Sequence, residues 1–477
     1  MNWILEFCFQ TLSLLEQIKN SMHKKIVVLG AGISGLAAAY LLKQKGRDVT
    51  VLEKKNEVGG SIETSYENGF LFDHGPYSAL ETTPLISKFV EELNLHDQLV
   101  YANKMANKRY ILRSNTLYAL PMSPAAFLKT RLFSTKAKLR LFAEPFVGRS
   151  KDGYYQSIAE FVTRRLGREF LDYVINPFVA EIYAGNPESL SVKSAFPKLY
   201  ALEEKYGGLI VGTIKSINER KQRAEKFNQS AKMFSFKDGM IVLPNVFAQY
   251  LGNNLVLQTE AKKIEKHDDG YVISCLHKDE NFNIPADIII STVPAFNAAD
   301  LFGDFDKGLK RHLLDIYYPP VLVQYLAYKK EDIKQPLDGF GFLIPSKERK
   351  SFLCAIWTSV IFPSRSSKDT ASFTLFIGGA RDTDIFSLDK ELLFMKIRAE
   401  FETLMKISGE PIFSSDKFWP KAIPQYNIGY VEHENYFDRF EKKFPGIILS
   451  GNYRGGISVV DCIKNSELVV EKAISIQ

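Results

Sequence analysis

Chemistry in this chain starts from glycines rather than from acids, bases or thiols. Gly30-Ala31-Gly32-Ile33-Ser34-Gly35 fits the pattern G-x-G-x-x-G, and an acid, Glu53, stands about 20 residues further on. Each glycine has a physical task. Gly30 permits a tight turn, Gly32 lets backbone N–H groups approach a pyrophosphate, and Gly35 lets a helix pack closely on a strand. The positive end of the following helix stabilises phosphate charge. Glu53 is placed to accept hydrogen bonds from a ribose. The plain alternative is a tight turn that holds nothing.

Two more glycine clusters extend this pattern. Gly59-Gly60-Ser61 follows Glu53 and Lys54, and Gly75-Pro76-Tyr77-Ser78 follows Phe72-Asp73-His74. An acid followed by a double glycine resembles the signature of the amine oxidase and protoporphyrinogen oxidase flavoproteins, and that resemblance implies FAD rather than NAD, although a surface turn reads the same way. Near the C-terminus, Gly451-Asn452-Tyr453-Arg454-Gly455-Gly456-Ile457-Ser458-Val459 again runs from a strand through glycines into a helix. A helix N-terminus there can stabilise negative charge on a reduced flavin.

These residues need elements to hold them. The apolar run 25–29 predicts a buried strand, 36–45 a helix ended by Gly46, and 48–52 a second strand, making a parallel β-α-β unit. Residues 85–95 have helical spacing, and 110–120 predict a hairpin around Ser114-Asn115. Strands are expected at 255–263, 271–275 and 287–292, with a second sheet containing 321–328 and 372–378. Residues 392–405 predict a helix, 447–449 a short strand and 461–476 a closing helix. From 121 to 168 the chain is basic, apolar and helical in pattern. Within it, 127–142 alternates Leu/Phe with Lys/Arg at about helical spacing.

Length and composition bound the rest. At 477 residues the chain is expected to form several domains, and 45% hydrophobic residues suffice for large cores. A net charge of +6 is modest, and no basic–aromatic block suggests nucleic acid as a partner. The four cysteines are scattered without C-x-x-C, which argues against a zinc site or a disulfide framework and for a reducing compartment. No metal is expected. Residues 1–21 are too short and interrupted for a spanning helix and make a poor signal peptide. Met22 stands just before the first strand, so they read as an extension or a start-site error.

Four stretches go beyond generic flavin motifs. They are Tyr183-Ala184-Gly185 with the following Asn186-to-Ser191 segment, Glu203 to Gly208 before Ile210, Gly339-Phe340-Gly341-Phe342-Leu343-Ile344-Pro345, and Gly455-Gly456 ahead of Asp461-Cys462-Ile463. With these the chain resembles the oxygen-dependent protoporphyrinogen oxidase family, within the FAD-dependent amine oxidase-like superfamily. The resemblance implies an α/β fold: a Rossmann-type FAD-binding domain, a mixed-sheet substrate domain and a helical, membrane-associating insertion. It divides the chain into FAD-binding parts at 24–100, 229–300 and 421–477, a substrate-facing segment with the insertion at 101–228, and the substrate sheet at 301–420.

Carried across by residue, FAD would meet Gly30 to Gly35, Glu53, Lys54, Gly59, Gly60, Ser61, Gly75, Pro76, Tyr77, Ser78, Ala261, Asn452, Ile457, Ser458 and Val459. Arg109 would pair with a substrate propionate, unless it is a solvated surface arginine. Phe340, Leu343 and Trp357 would line the macrocycle slot, unless they are ordinary sheet core. Glu181 departs from the family, where glycine is common beside the substrate. Ser61 replaces a larger residue and Ala261 a valine.

The implied activity is FAD-dependent oxidation of protoporphyrinogen IX to protoporphyrin IX in heme biosynthesis, with molecular oxygen as acceptor and peroxide as product. Coproporphyrinogen III is the nearest rival substrate. An amine oxidase, a desaturase and a non-catalytic FAD scaffold are the others. We expect a cytoplasmic protein, attached peripherally to the inner face of the cell membrane through 127–142. A homodimer and hand-off of porphyrin to a ferrochelatase are compatible with the resemblance.

Overall fold

A computed structural model describes residues 24–222 and 231–476. Residues 1–21 and Met22, on which the reading of the N-terminus depended, lie outside the described residues.

The apolar run Ile26–Leu29 is buried along its whole length, as are Ile288–Ser291 and Ile447–Leu449. Runs of this kind suit parallel strands covered on both faces. They form a five-stranded sheet in the order Leu255–Val256, Val49–Leu52, Ile26–Leu29, Ile288–Ser291, Ile447–Leu449, with every pair parallel. One face packs against helices Ile33–Gln44, Val242–Leu251 and Val459–Ser475. The other packs against Ile158–Leu166 and Ala295–Phe302.

The strand expected at 255–263 is two strands. Gln258 takes a left-handed conformation (φ 53°) and turns the chain. Leu255–Val256 stays in the parallel sheet, while Thr259–His267 begins an antiparallel sheet with Gly270–His277 and Glu280–Ala286. Periodicity alone could not place that break, because both halves are extended.

The second large sheet has seven strands and is mixed. Gly341–Leu343 runs parallel to Arg109–Arg113, and the other pairs are antiparallel. The hairpin Arg109–Arg113/Thr116–Ala119 therefore completes this sheet from a segment far upstream of its other strands. Ser114 and Asn115 both have positive φ (51° and 58°), which the tight two-residue hairpin turn requires. Helix Lys390–Met405 covers one face of the sheet, and the opposite face looks toward helix Asn176–Tyr183.

The amphipathic stretch 127–142 is not one helix. It forms Pro124–Lys129 and Thr135–Phe142, each capped by a serine: Ser123 Oγ accepts from Ala126 N and Ser134 Oγ from Ala137 N, both at 3.2 Å. Leu132 and Phe133 between them are buried. The serine cap and the two anchored side chains end one helix and start the next. Among the described residues, no helix is long and apolar enough to cross a membrane.

A buried ion cluster holds this helical region together. Arg165 is inaccessible to solvent and bonds Glu203, Glu144 and the Gly207 carbonyl. Glu144 in turn accepts from the N–H groups of Leu209 and Ile210 at 2.8 and 3.1 Å. Removing one partner leaves uncompensated buried charge. Arg165→Met is therefore expected to destabilise the protein by about 3–5 kcal/mol, read as a lowered urea midpoint; an unchanged midpoint would show the cluster to be energetically neutral.

Candidate active site

All five parallel strands end on the same edge, and the glycine turns leave from it. Gly30 N donates to Leu52 O (2.8 Å), and Ser450 N donates to Ser291 O (2.8 Å). Thr292 joins the opening and closing turns. Its N and Oγ1 each donate to Leu29 O at 2.9 Å, and a Cβ on Gly451 would lie 3.2 Å from its carbonyl oxygen. A Cβ on Gly35 would fall 2.1 Å from Gly30 O, so only glycine allows this helix–strand approach.

Gly59 N donates to Ala31 O at 2.9 Å, which lays the double glycine along the first turn. A Cβ on Gly32 would have nothing nearer than Gly60 Cα, at 4.0 Å. Helix Ile33–Gln44 has no side-chain cap and no acid in its first turn. Its positive end is thus left for an anionic ligand. Glu53 is fixed at its strand end: Oε2 accepts from Ala31 N (2.8 Å) and Oε1 from Lys55 N (2.9 Å). Thr259 N donates to Glu53 O, bringing the strand of Ala261 alongside. Ser61 is exposed, and its carbonyl packs against Gly75 so closely that a Cβ there would lie 2.0 Å away. Lys54 is exposed at the rim. Open backbone, an uncapped helix and a held carboxylate fit the phosphate- and ribose-bearing part of FAD.

At the closing turn, Tyr426 Oη donates to Asn452 O (2.7 Å) and accepts from Gly456 N (3.2 Å). Ser458 caps helix Val459–Ser475 by accepting from Asp461 N at 3.0 Å. Ser458 Oγ also donates to Asp461 Oδ2 (2.6 Å), so the first turn carries an acid. That acid offsets part of the helix-end charge that the sequence suggested for this turn. Ile457 is half-buried and Val459 buried at the same place.

The second centre lies on the inner face of the seven-stranded sheet. Arg109 stands with its guanidinium carbon 4.0 Å from the Phe340 ring centre. Its Nη1 donates to both carboxylate oxygens of Glu181, each at 2.8 Å. Phe340 and Leu343 are buried in one cluster with Cys354 and Ile356, against which Tyr77, Phe178 and Phe376 pack. The Tyr77 ring lies 6.4 Å from both Phe340 and Phe376. Since Tyr77 follows Gly75-Pro76, it joins the glycine cradle to this apolar wall. A second link runs through Tyr183, whose ring meets Tyr426 edge-on at 6.1 Å.

Electrostatics here is set by burial. Burial raises the Glu181 carboxyl, and the Arg109 guanidinium opposes that shift. Burial also raises Tyr77 and Cys354, with the Glu181 charge adding to both. Arg381 is lowered to about 10 by burial. Among the described residues its guanidinium bonds two neutral acceptors, Asn176 Oδ1 at 2.6 Å and Ile344 O at 3.3 Å.

Trp357 does not join this wall. It is fully buried on the other face of the sheet, 5.7 Å from Tyr110. Side chains alternate along Cys354–Ile356 and into Trp357, so Cys354 and Ile356 face the wall while Ala355 and Trp357 face the helix-covered core. The same alternation marks Phe376, which the sequence reading missed. It is the one large apolar residue on the Ser372–Thr374–Phe376 side of its strand. Arg381, Thr292 and Tyr426 were also missed. Thr292 was read only as the end of the strand at 287–292, which stops at Ser291, while Arg381 and Tyr426 sit in a turn and a loop with no periodic signal.

The family model for flavin containing amine oxidoreductases matches residues 33–471. Protoporphyrinogen oxidase 2 (chloroplastic/mitochondrial) of Arabidopsis thaliana is 32% identical, covering 95% of each chain. Coproporphyrinogen III oxidase of Bacillus subtilis (strain 168) is 26% identical, covering 95% of this chain and 98% of that one. A solved structure from Exiguobacterium sp. 255-15 matches with a TM-score of 0.79 at 21% identity, covering 95% of this chain and 99% of the other. The edge of glycine turns and the full-length match agree: the chain belongs to the flavin-containing amine oxidoreductase family and is an FAD-dependent oxidoreductase with porphyrinogen-oxidising relatives.

Proposed function

We propose that this enzyme oxidises protoporphyrinogen IX to protoporphyrin IX, with molecular oxygen as the final acceptor and hydrogen peroxide as the product. What supports the choice of substrate is the charge balance at the apolar wall among the described residues. The cations acting on Tyr77, Glu181 and Cys354 are Arg109 and Arg381, and Glu181 already holds Arg109. That balance suits a macrocycle with two carboxylates better than coproporphyrinogen III with four. Relatives at 32% identity named protoporphyrinogen oxidase support the same reading.

When bound, FAD supplies the two-electron acceptor. The protein's residues do the rest. Phe340, Leu343, Ile356 and Phe376 exclude water and stack against the ring. Arg109 and Arg381 orient the carboxylate edge. Tyr77 ties that edge to the cofactor cradle. Anaerobic protoporphyrinogen IX is expected to bleach the yellow absorbance of the FAD-loaded protein by one two-electron step; porphyrin fluorescence should appear only on admitting air, when oxygen reoxidises the flavin for the two further steps and three peroxides are released in all. A flavin that stays oxidised would defeat the reading. Coproporphyrinogen III is expected to show kcat/KM lower by about tenfold or more; the reverse order would make it the substrate.

The membrane contact is proposed on a specific patch. Met122, Leu139, Phe142 and Phe146 are exposed (80, 65, 63 and 90%), with Lys129, Lys136, Lys138 and Arg140 interspersed. Apolar side chains beside cations suit an anionic bilayer surface even when the helices are short. The protein is expected to sediment with phosphatidylglycerol-containing vesicles at low salt. Phe142→Asp with Phe146→Asp should leave it in the supernatant. Wild type remaining in the supernatant at low salt would remove the proposal.

A further inference from the structure

Glu181 occupies the one place where a carboxylate is least expected, on the arginine that a carboxylate ligand would need. The side chains of Glu181 and Arg109 are only 11 and 28% exposed. One guanidinium nitrogen, Nη1, serves both oxygens, so this is not the two-nitrogen fork. Among the described residues, the other nitrogens of Arg109 make no hydrogen bond. The face of the guanidinium is covered by Phe340. Arg109 is therefore already neutralised, yet retains free donor positions toward the wall.

The other charged and titratable groups at Glu181 come from separate elements. Tyr77 comes from the glycine cradle, Cys354 from strand Cys354–Ile356, and Arg109 from strand Arg109–Arg113; Arg381 acts on Cys354 from the turn Gly379–Arg381 that follows strand Thr370–Gly378. Tyr77 and Cys354 are both pushed upward by burial, so neither carries charge near neutral pH. Among the described residues, no second cation is bonded to Glu181. A substrate carboxylate that displaced Glu181 would leave it buried and unpaired. One that shared Arg109 would place two negative charges on a single cation. Both states carry an excess negative charge in a poorly hydrated space, which is costly.

We infer that Glu181 takes up one proton when a carboxylate-bearing substrate binds at Arg109, and so acts as the specificity-determining residue that couples substrate affinity to pH. This rests on the proposed porphyrinogen reaction. The sign follows from burial and partner loss. Glu181 is already raised in the free protein and rises further once Arg109 is shared. Binding therefore weakens as pH rises through the interval between those two positions.

The test uses FAD-loaded protein and protoporphyrin IX, followed by fluorescence between about pH 6 and 9, where linkage to one proton gives up to about tenfold in Kd per pH unit. Wild type is expected to lose affinity with rising pH. E181Q should bind more tightly than wild type at the alkaline end, with a flat profile. The dimethyl ester of protoporphyrin should bind wild type without pH dependence. Calorimetry of wild type in two buffers of different ionisation enthalpy should register net proton uptake, a result that does not require E181Q to fold. An E181Q profile parallel to wild type, or no proton uptake, would overturn the role of Glu181 while leaving the porphyrinogen reading intact. Absence of porphyrin binding to either protein at every pH would overturn both.

Discussion

Everything in this protein depends on the parallel alignment of five short strands. Parallel strands place all their C-terminal ends on one edge, and each end must be followed by a turn. Here the first, second and last of those turns are the glycine-rich ones. Their convergence is a consequence of strand direction, and Thr292 makes it physical by bonding the opening turn while packing against the closing one. Once the edge exists, the uncapped helix Ile33–Gln44 points its positive end into it with no further specification.

The second centre obeys a different rule. Its wall is one face of a mixed sheet, and alternation decides who belongs to it. Phe340, Leu343, Cys354, Ile356 and Phe376 share that face. A charged pair, Arg109 with Glu181, is set into this apolar surface. Buried pairs contribute little net stability compared with apolar replacements. The presence of such a pair on this apolar face fits a role in recognition better than one in holding the sheet together.

Much of this was legible in the residues. Long apolar runs and the glycine pattern located the parallel sheet and its turns, because both-face burial leaves a continuous apolar run and a close approach leaves a glycine. The hairpin at Ser114-Asn115 was legible because few residues accept positive φ. Four things were not. The break at Gln258 joins two extended segments of identical pattern. The division of 127–142 into two helices depends on burial of Leu132 and Phe133, which is a tertiary fact. The placement of Trp357 was lost because its motif was read as a string, when the pleat assigns alternate residues to opposite faces. The bond between Arg109 and Glu181 joins positions far apart in the chain, which no local spacing reveals.

The strand order has a temporal consequence as well. Ile288–Ser291 sits between Ile26–Leu29 and Ile447–Leu449, so the sheet is completed by a strand more than 400 residues beyond its first. The hairpin Arg109–Arg113/Thr116–Ala119 likewise waits for Gly341–Leu343 to emerge. Such non-local pairing is slow and leaves strand borders unpaired in the meantime. Before Ile447–Leu449 has been made, the opening glycine turn has no closing turn beside it. Until that strand docks, the edge that holds the cofactor is incomplete and its border strand lies open to wrong partners.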